Sequence, residues 1–330
     1  MTNDSFSIRL REARLMMGLS MDKLVERTNG AITKQSISRY EKGIMRPKRD
    51  ALQAIAKALN ISEAYFNGTN LKIDVPMLRT TSNGKVSEDE LQVLEAKLSF
   101  WAEQYLAKEK EAGFPTQFKN PIKGTKVSTL EDAIQASSLL REKWHCGDGP
   151  IASILRLLER KGIMILAATL PDYVFGMSTW ADKKHPLMIL DFNPDKSSVE
   201  KLRFTAVHEL AHLLLLFPEN SPLRLEKCCD LFASFFLLPK TALIEELGSR
   251  KRELITLEEM IDIKELYGAS LAASIIAARD YGIITTEYKR VWYAEHIEPN
   301  PREIGNGHYA FPETLGREKR VNSIIKSMEE

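Results

Sequence analysis

Cysteine is scarce in these 330 residues: Cys146, Cys228 and Cys229 form no CxxC pair and no even-numbered framework. That excludes a disulfide scaffold and a cysteine-only zinc site, and it fits a reducing compartment. Long apolar runs are missing too. No stretch of about 18 apolar residues occurs, so no membrane-spanning helix is expected. The first residues, MTNDSFSIRLREAR, lack the apolar core of a signal peptide, so the expected location is the cytoplasm. No internal repeat and no low-complexity tract is present. Net charge is nearly absent, +1 from 46 basic and 45 acidic residues, but that total conceals a split: residues 1–70 carry 12 basic and 7 acidic side chains, a balance of +5, and the other 260 residues carry −4. Such asymmetry points the N-terminal segment toward a polyanion. A chain of this length accommodates two or three domains.

What is present is mainly helical signal. Residues 5–67 read as five short helices. The apolar positions Ile8, Leu10, Ala13, Leu15 and Met16 make the first amphipathic, Gly18 stops it, and Ser20 caps a second over Met21–Thr28. Asn29-Gly30 marks a turn, Thr33 caps a third helix to about Glu41, a fourth spans Asp50–Leu59, and a short fifth follows Ser62. Periodicity is lost from about Thr69 to Lys85. A capping box at Ser87–Glu90 then opens a helix to about Glu111, and Gly113 to Ser128 is loop. Further helices are expected at about 130–145, 151–161, 198–216, 222–238, 256–267 and 270–281. Ile163–Ala167 and Leu187–Asp191 are short, apolar and bounded by breakers, as buried strands are. The expected fold is mainly α (α+β): a five-helix domain over 1–70, a linker and connecting helix over 71–128, a mixed domain with a small sheet over 129–250, and a helical region over 251–330.

The helix expected at 198–216 contains His208-Glu209-Leu210-Ala211-His212. A separation of four puts both imidazoles on one face, one turn apart, where they can hold one zinc ion. Glu209 can then act as general base on a water whose pKa zinc lowers from about 15.7 toward about 7. Apolar neighbours (Val207, Leu210, Ala211, Leu213, Leu214) indicate a buried helix, in which two imidazoles need a partner. Catalytic zinc takes three protein ligands. Glu226 and Asp230 lie four apart on the next helix. Glu226 can supply the third ligand, and Asp230 can accept a hydrogen bond from the second nitrogen of a ligand histidine. The alternative is that both carboxylates only solvate a helix face. Cys228 and Cys229 are soft donors nearby, although both read as small core residues.

With these residues stand further blocks: Trp144, Gly147-x-Gly149-Pro150-Ile151, Leu158-Glu159-x-x-Gly162-Ile163, Phe175-Gly176, Arg203-Phe204-Thr205-Ala206-Val207 before the HELAH segment, Glu226-x-x-Cys229-Asp230-x-Phe232-Ala233, and Leu237-Leu238-Pro239. Their order and spacing over about residues 130–300 resemble the ImmA/IrrE family of metallopeptidases. The resemblance implies a zincin-like domain with His208, His212 and Glu226 as Zn2+ ligands, Glu209 as base and Asp230 behind the ligands. One departure is Cys229, where the family usually carries a small residue.

Leu10-Arg11-x-x-Arg14, Met21-x-x-Leu24, Ile37-Ser38-Arg39-Tyr40-Glu41-x-Gly43, Pro47 and Leu52-x-x-Ile55-Ala56-x-x-Leu59 resemble the Xre/Cro-type helix-turn-helix domain. In such domains the second helix of the motif enters the major groove. Here that helix begins Thr33-Lys34-Gln35-Ser36. Gln35 can pair with adenine, Lys34 or Arg39 can approach guanine or phosphate, and Lys42, Arg46, Lys48 and Arg49 would contact phosphates. The connection Asn29-Gly30-Ala31-Ile32 is about two residues longer than usual. A protein-interaction module with solvated basic residues is the alternative. The C-terminal pair of helices at 257–267 and 270–280 also has helix-turn-helix spacing, but its surroundings are not basic.

Together the resemblances imply a DNA-binding regulator whose zinc endopeptidase domain cleaves a regulatory protein. The expected partners are a double-stranded operator, a protein substrate such as an Xre-type repressor or the chain's own N-terminal domain, and a second copy of the chain, because helix-turn-helix domains usually read two half-sites as dimers. The competing function is a non-proteolytic repressor or antitoxin-like regulator whose metallopeptidase domain senses a signal or binds a partner.

Overall fold

A computed structural model describes residues 5–68, 71–74, 88–170, 172, 174–218 and 225–329. The chain forms two compact units, one of Met1–Pro115 with Trp180–Lys184 and Ile325–Glu330, the other of Thr116–Thr179 with His185–Ile324.

In the first unit α1 (Ser5–Met16), α2 (Met21–Arg27), α3 (Lys34–Glu41), α4 (Arg49–Leu59) and a 3-10 turn at Glu63–Asn67 match the five expected helices closely. The side chains of Ser20 and Thr33 accept from the amides of Lys23 and Ser36, so both predicted N-caps are made. Gly18 and Gly43, at φ +64 and +67, end α1 and α3 in the left-handed region that favours glycine. The core contains Leu10, Leu24, Ile37, Ile55, Leu59 and Phe66. The stripe of α1 differs from the expected one: Phe6, Leu10 and Ala13 are buried, whereas Ile8, Leu15 and Met16 are half-buried. Two arginines join that face. Arg14 makes a bidentate pair with Glu41 at 2.6 and 2.9 Å, and Arg9 pairs with both oxygens of Glu103 at 2.7 Å. Glu103 belongs to α5 (Glu88–Glu111), the expected connecting helix. The +5 balance therefore overstates by one the charge this domain shows to solvent, because Arg9 is buried against Glu103, which lies outside residues 1–70, whereas the buried Arg14–Glu41 pair cancels within the tally. Strand β1 (Ile73–Asp74), which the sequence reading missed, pairs antiparallel with Trp180 and Ala181. Most of the expected linker, and Ser87 of its capping box, lie outside the described residues.

The second unit contains α6 (Leu130–Trp144), α7 (Ile154–Arg160), β2 (Met164–Ala167), β3 (Gly176–Ala181), β4 (His185–Leu190), α8 (Val199–Leu214), α9 (Leu225–Leu237), α10 (Lys240–Leu247), α11 (Leu257–Tyr267), α12 (Leu271–Asp280), α13 (Thr286–His296) and α14 (Arg317–Glu329), with the end of β3 and the end of α14 grouped with the first unit. Strands β2 and β4 are parallel, with Met164 opposite Leu187 and Ala167 opposite Leu190, and β3 lies on the other side of β4. Only β2 and β4 were expected. Strand β3, GMSTWA, has no apolar run, and its turn is formed by Asp182 and Lys183 at φ 50 and 55 rather than by Asn-Gly. Helices α10, α13 and α14 were not foreseen either.

Helix α7 starts three residues later than expected. Ile151 and Ala152 stay outside it because their carbonyls accept from Tyr309 Oη, and the Glu313 carboxylate takes the amides of Ile154 and Leu155. The same carboxylate pairs with Arg203 of α8, whose guanidinium also donates to the carbonyls of Ile151, Tyr267 and Gly268. Arg203 is 0% and Glu313 1% exposed. Residues beyond α13 thus fasten α7 and α8. One apolar cluster from Leu238 to Ile297 runs across the division expected at 250–251.

Candidate metal centre and nucleic-acid interface

Helices α8 and α9 pack against each other, and their facing side chains make the centre. Helix α8 is fixed by Ser198, whose hydroxyl caps the amide of Lys201, and by an apolar face of Leu202, Ala206, Val207, Leu210 and Leu213. His208 and His212 project from the partly open side. Their Nε2 atoms are 3.2 Å apart, and Glu226 Oε2 of α9 lies 3.2 Å from the first and 3.6 Å from the second. Donor atoms around tetrahedral zinc, with bonds near 2.0–2.1 Å, stand about 3.3 Å apart. The three atoms therefore fit one face of a small coordination tetrahedron.

His208 Nδ1 is 2.9 Å from Asp230 Oδ1. A proton held there leaves the lone pair of Nε2 facing the other two donors, which is the ligand form of the ring. Burial disfavours the imidazolium at His208, but the hydrogen bond to Asp230 and the carboxylates of Glu209, Asp230 and Glu226 outweigh it, so its pKa is raised. At His212 burial prevails and the pKa is lowered, despite Glu209 and Glu226. Glu226, at 61% exposed, gives the centre an open side.

Glu209 is turned toward the sheet, where Ser178 Oγ of β3 donates to its Oε2 at 2.7 Å. Sequence reasoning missed Ser178 because it missed β3. The signal was Phe175-Gly176: a Cβ at Gly176 would stand 2.6 Å from Thr205 Cγ2 of α8 and 2.9 Å from Leu190 Cδ2, so the missing side chain lets β3 approach the helix. Lys196 Nζ holds the preceding segment through the carbonyls of Leu170 and Val174 and through Asp191.

Cys229, a soft donor that the sequence reading set aside as a small core residue, also lies at the centre. It is fully buried, and its Sγ lies 3.7 Å from His212 Nδ1 and within 4.8 Å of donor atoms of both histidines. Burial, with Glu226, Glu209 and Asp230 around it, pushes its thiol pKa far up. Cys228, also buried, is raised by burial as well.

On α3, Lys34, Gln35 and Arg39 are exposed, with Lys42 following at the C-cap, while Ile37 and Tyr40 on the opposite side enter the core. Lys34 Nζ pairs with exposed Asp22 at 2.7 Å, a contact worth at most about 1 kcal/mol that phosphate can replace. Ser36 is half-buried, with its Oγ 3.0 Å from Thr33 Oγ1 in an exposed contact at the start of the helix. Arg46 is exposed in the loop beyond α3.

These arrangements define a helix-turn-helix module and, separately, a cluster of metal-ligating side chains around an HExxH segment. A family model for helix-turn-helix domains matches residues 10–66, and a model described as the IrrE N-terminal-like domain matches residues 158–276. The chain thus joins an Xre-type helix-turn-helix domain to an ImmA/IrrE-type domain. No curated protein matches it. Among solved structures, the crystal structure of ComR from Streptococcus suis is similar at 13% identity, covering 100% of this chain and 78% of that one, with a TM-score of 0.19, too low to argue from.

Proposed function

We propose that the protein is a DNA-binding regulator that hydrolyses a peptide bond in a regulatory protein, an Xre-type repressor or a copy of itself, and that Zn2+ is its metal. The observation that carries the reading is the convergence of His208 Nε2, His212 Nε2 and Glu226 Oε2 within 3.2–3.6 Å of one another, beside a glutamate with a separate hydrogen-bond partner. His208, His212 and Glu226 would hold the ion, with Asp230 behind His208. Two imidazoles and one carboxylate suit zinc in a hydrolytic site, where three protein ligands leave one position open. When bound, zinc supplies a Lewis acid that makes water acidic near neutral pH and polarises a carbonyl.

The chain's residues do the rest. Glu209 takes a proton from the attacking water and returns it to the departing amine. Ser178 occupies one oxygen of that carboxylate and fixes its plane, leaving the other oxygen for the proton. Lys34, Gln35, Ser36 and Arg39 would face the major groove, with Lys42 and Arg46 on phosphates. A homodimer reading two half-sites accompanies this proposal.

The test is Glu209→Gln in the full chain, read by bound zinc, operator binding and cleavage of a candidate repressor. Retained zinc and DNA binding with cleavage lost is the expected result. Unchanged cleavage overturns the role of Glu209. Metal-replete wild type that cuts neither candidate repressors nor itself leaves the non-proteolytic regulator.

A further inference from the structure

Helix α9 presents Glu226, Cys229 and Asp230 on one face, because residues three and four apart on a helix are neighbours. Helix α8 presents His208 and His212 by the same rule. Where the faces meet, each imidazole sets its Nδ1 against one of two consecutive residues of α9. His208 Nδ1 is 2.9 Å from Asp230 Oδ1, and His212 Nδ1 is 3.7 Å from Cys229 Sγ. Both Nε2 atoms look the other way, toward each other and Glu226.

We propose that Cys229 is the positioning residue of His212: the ring's Nδ1–H donates to Sγ, which holds the tautomer and orientation that turn the Nε2 lone pair toward the metal. This deepens the metal reading above and rests on it. The geometry favours this role over ligation. The sulfur meets His212 at Nδ1, the ring nitrogen that does not face Glu226, and the third donor at Nε2 is already Glu226 Oε2. Sulfur's larger radius makes 3.7 Å a hydrogen-bonding separation. Cys229 is completely buried, so the sulfur itself is not hydrated. The two ligand rings would then differ in kind, one backed by a carboxylate and one by a weakly accepting sulfur. Such partners typically contribute about 10–100-fold in metal affinity, and a sulfur acceptor belongs at the lower end.

Full-length wild type, Cys229→Ala and Cys229→Ser are compared in two measurements: zinc affinity by competition with a chromophoric chelator, and the absorption spectrum of the cobalt(II)-substituted protein. Expected are a wild-type cobalt spectrum without sulfur-to-metal charge transfer, an affinity about tenfold weaker in Cys229→Ala, and restoration of most of it in Cys229→Ser, whose hydroxyl can accept the same proton. An intense charge-transfer band in wild type that Cys229→Ala removes makes Cys229 a ligand and overturns the proposal. Equal zinc affinity in all three proteins overturns it as well. Absence of metal from wild type defeats the metal reading together with this one, so that failure is distinguishable from the first two. The wild-type cobalt spectrum decides between ligand and positioning residue even if a variant fails to fold.

Discussion

Ser178 Oγ stands 2.7 Å from Glu209 Oε2, so a strand that the sequence reading did not foresee holds the residue assigned as general base. Removing that hydroxyl leaves the carboxylate free to rotate without touching a metal donor. Ser178→Ala is expected to lower kcat for cleavage about tenfold, a fraction of the 10²–10⁴-fold that general-base catalysis supplies, with zinc content unchanged. Steady-state kinetics beside metal analysis check it. Loss of zinc in the variant makes Ser178 a folding residue instead.

Gly176 gives a stability prediction. A methyl group there meets Thr205 Cγ2 at 2.6 Å and Leu190 Cδ2 at 2.9 Å, so strand and helix must separate slightly. Gly176→Ala should cost about 1–3 kcal/mol by urea denaturation, as overpacking of a close-packed interior does. An unchanged midpoint shows that the two side chains yield freely.

The outward face of α3 separates two kinds of contact. Gln35→Ala with Arg39→Ala should abolish preference for the operator over random DNA while non-specific binding persists. Lys42→Ala should weaken binding to all sequences alike and reduce the slope of log affinity against log salt by about one. Titration of both DNAs at several salt concentrations checks both. A sequence-dependent effect of Lys42→Ala would move it among the base-reading residues.

Asp132 supplies the pH dependence. Its carboxylate accepts from the backbone amides of Ser128 and Thr129, then from the Thr129 side chain, and these bonds hold its pKa below the ordinary value against a small opposing effect of desolvation. A carboxyl whose folded pKa is depressed stabilises the fold fully above its unfolded pKa, near 3.9, and loses that contribution as pH falls through the folded value. Asp132→Asn should therefore be less stable than wild type at pH 6, with the gap closing below about pH 4. A gap that stays constant through that range removes the charged cap from the explanation.

Much of this was legible in the chain because local signals and tertiary demand agree. Ser20 and Thr33 cap the helices their positions announce, and the HELAH spacing puts both imidazoles on one face, where their Nε2 atoms stand 3.2 Å apart. Glu226 and Asp230 follow from the helical repeat of α9. What was hidden depends on partners far along the chain. Strand β3 buries Ser178 and Thr179 along with Met177 and Ala181, and Ser178 serves a glutamate 31 residues later. Arg9 and Arg14 look like DNA-facing charge until their carboxylates, Glu103 and Glu41, are in view. Ile151–Ser153 reads as helix until Tyr309 and Glu313 claim its surroundings. Cys229 resembles a core residue because it is one, and only its distance to His212 gives it a second role.

The Arg203–Glu313 pair separates evolutionary kinship from folding autonomy. The IrrE-like match ends at residue 276, yet the carboxylate that neutralises a wholly buried guanidinium of the helix carrying His208 and His212 comes 37 positions later. A fragment trimmed to the matched border would strand that charge at a cost of about 3–5 kcal/mol, a large share of the 5–15 kcal/mol that holds a typical domain together. The heritable module and the foldable one have different edges, and the tail beyond residue 300 is as much a part of the IrrE-like half as the histidines are.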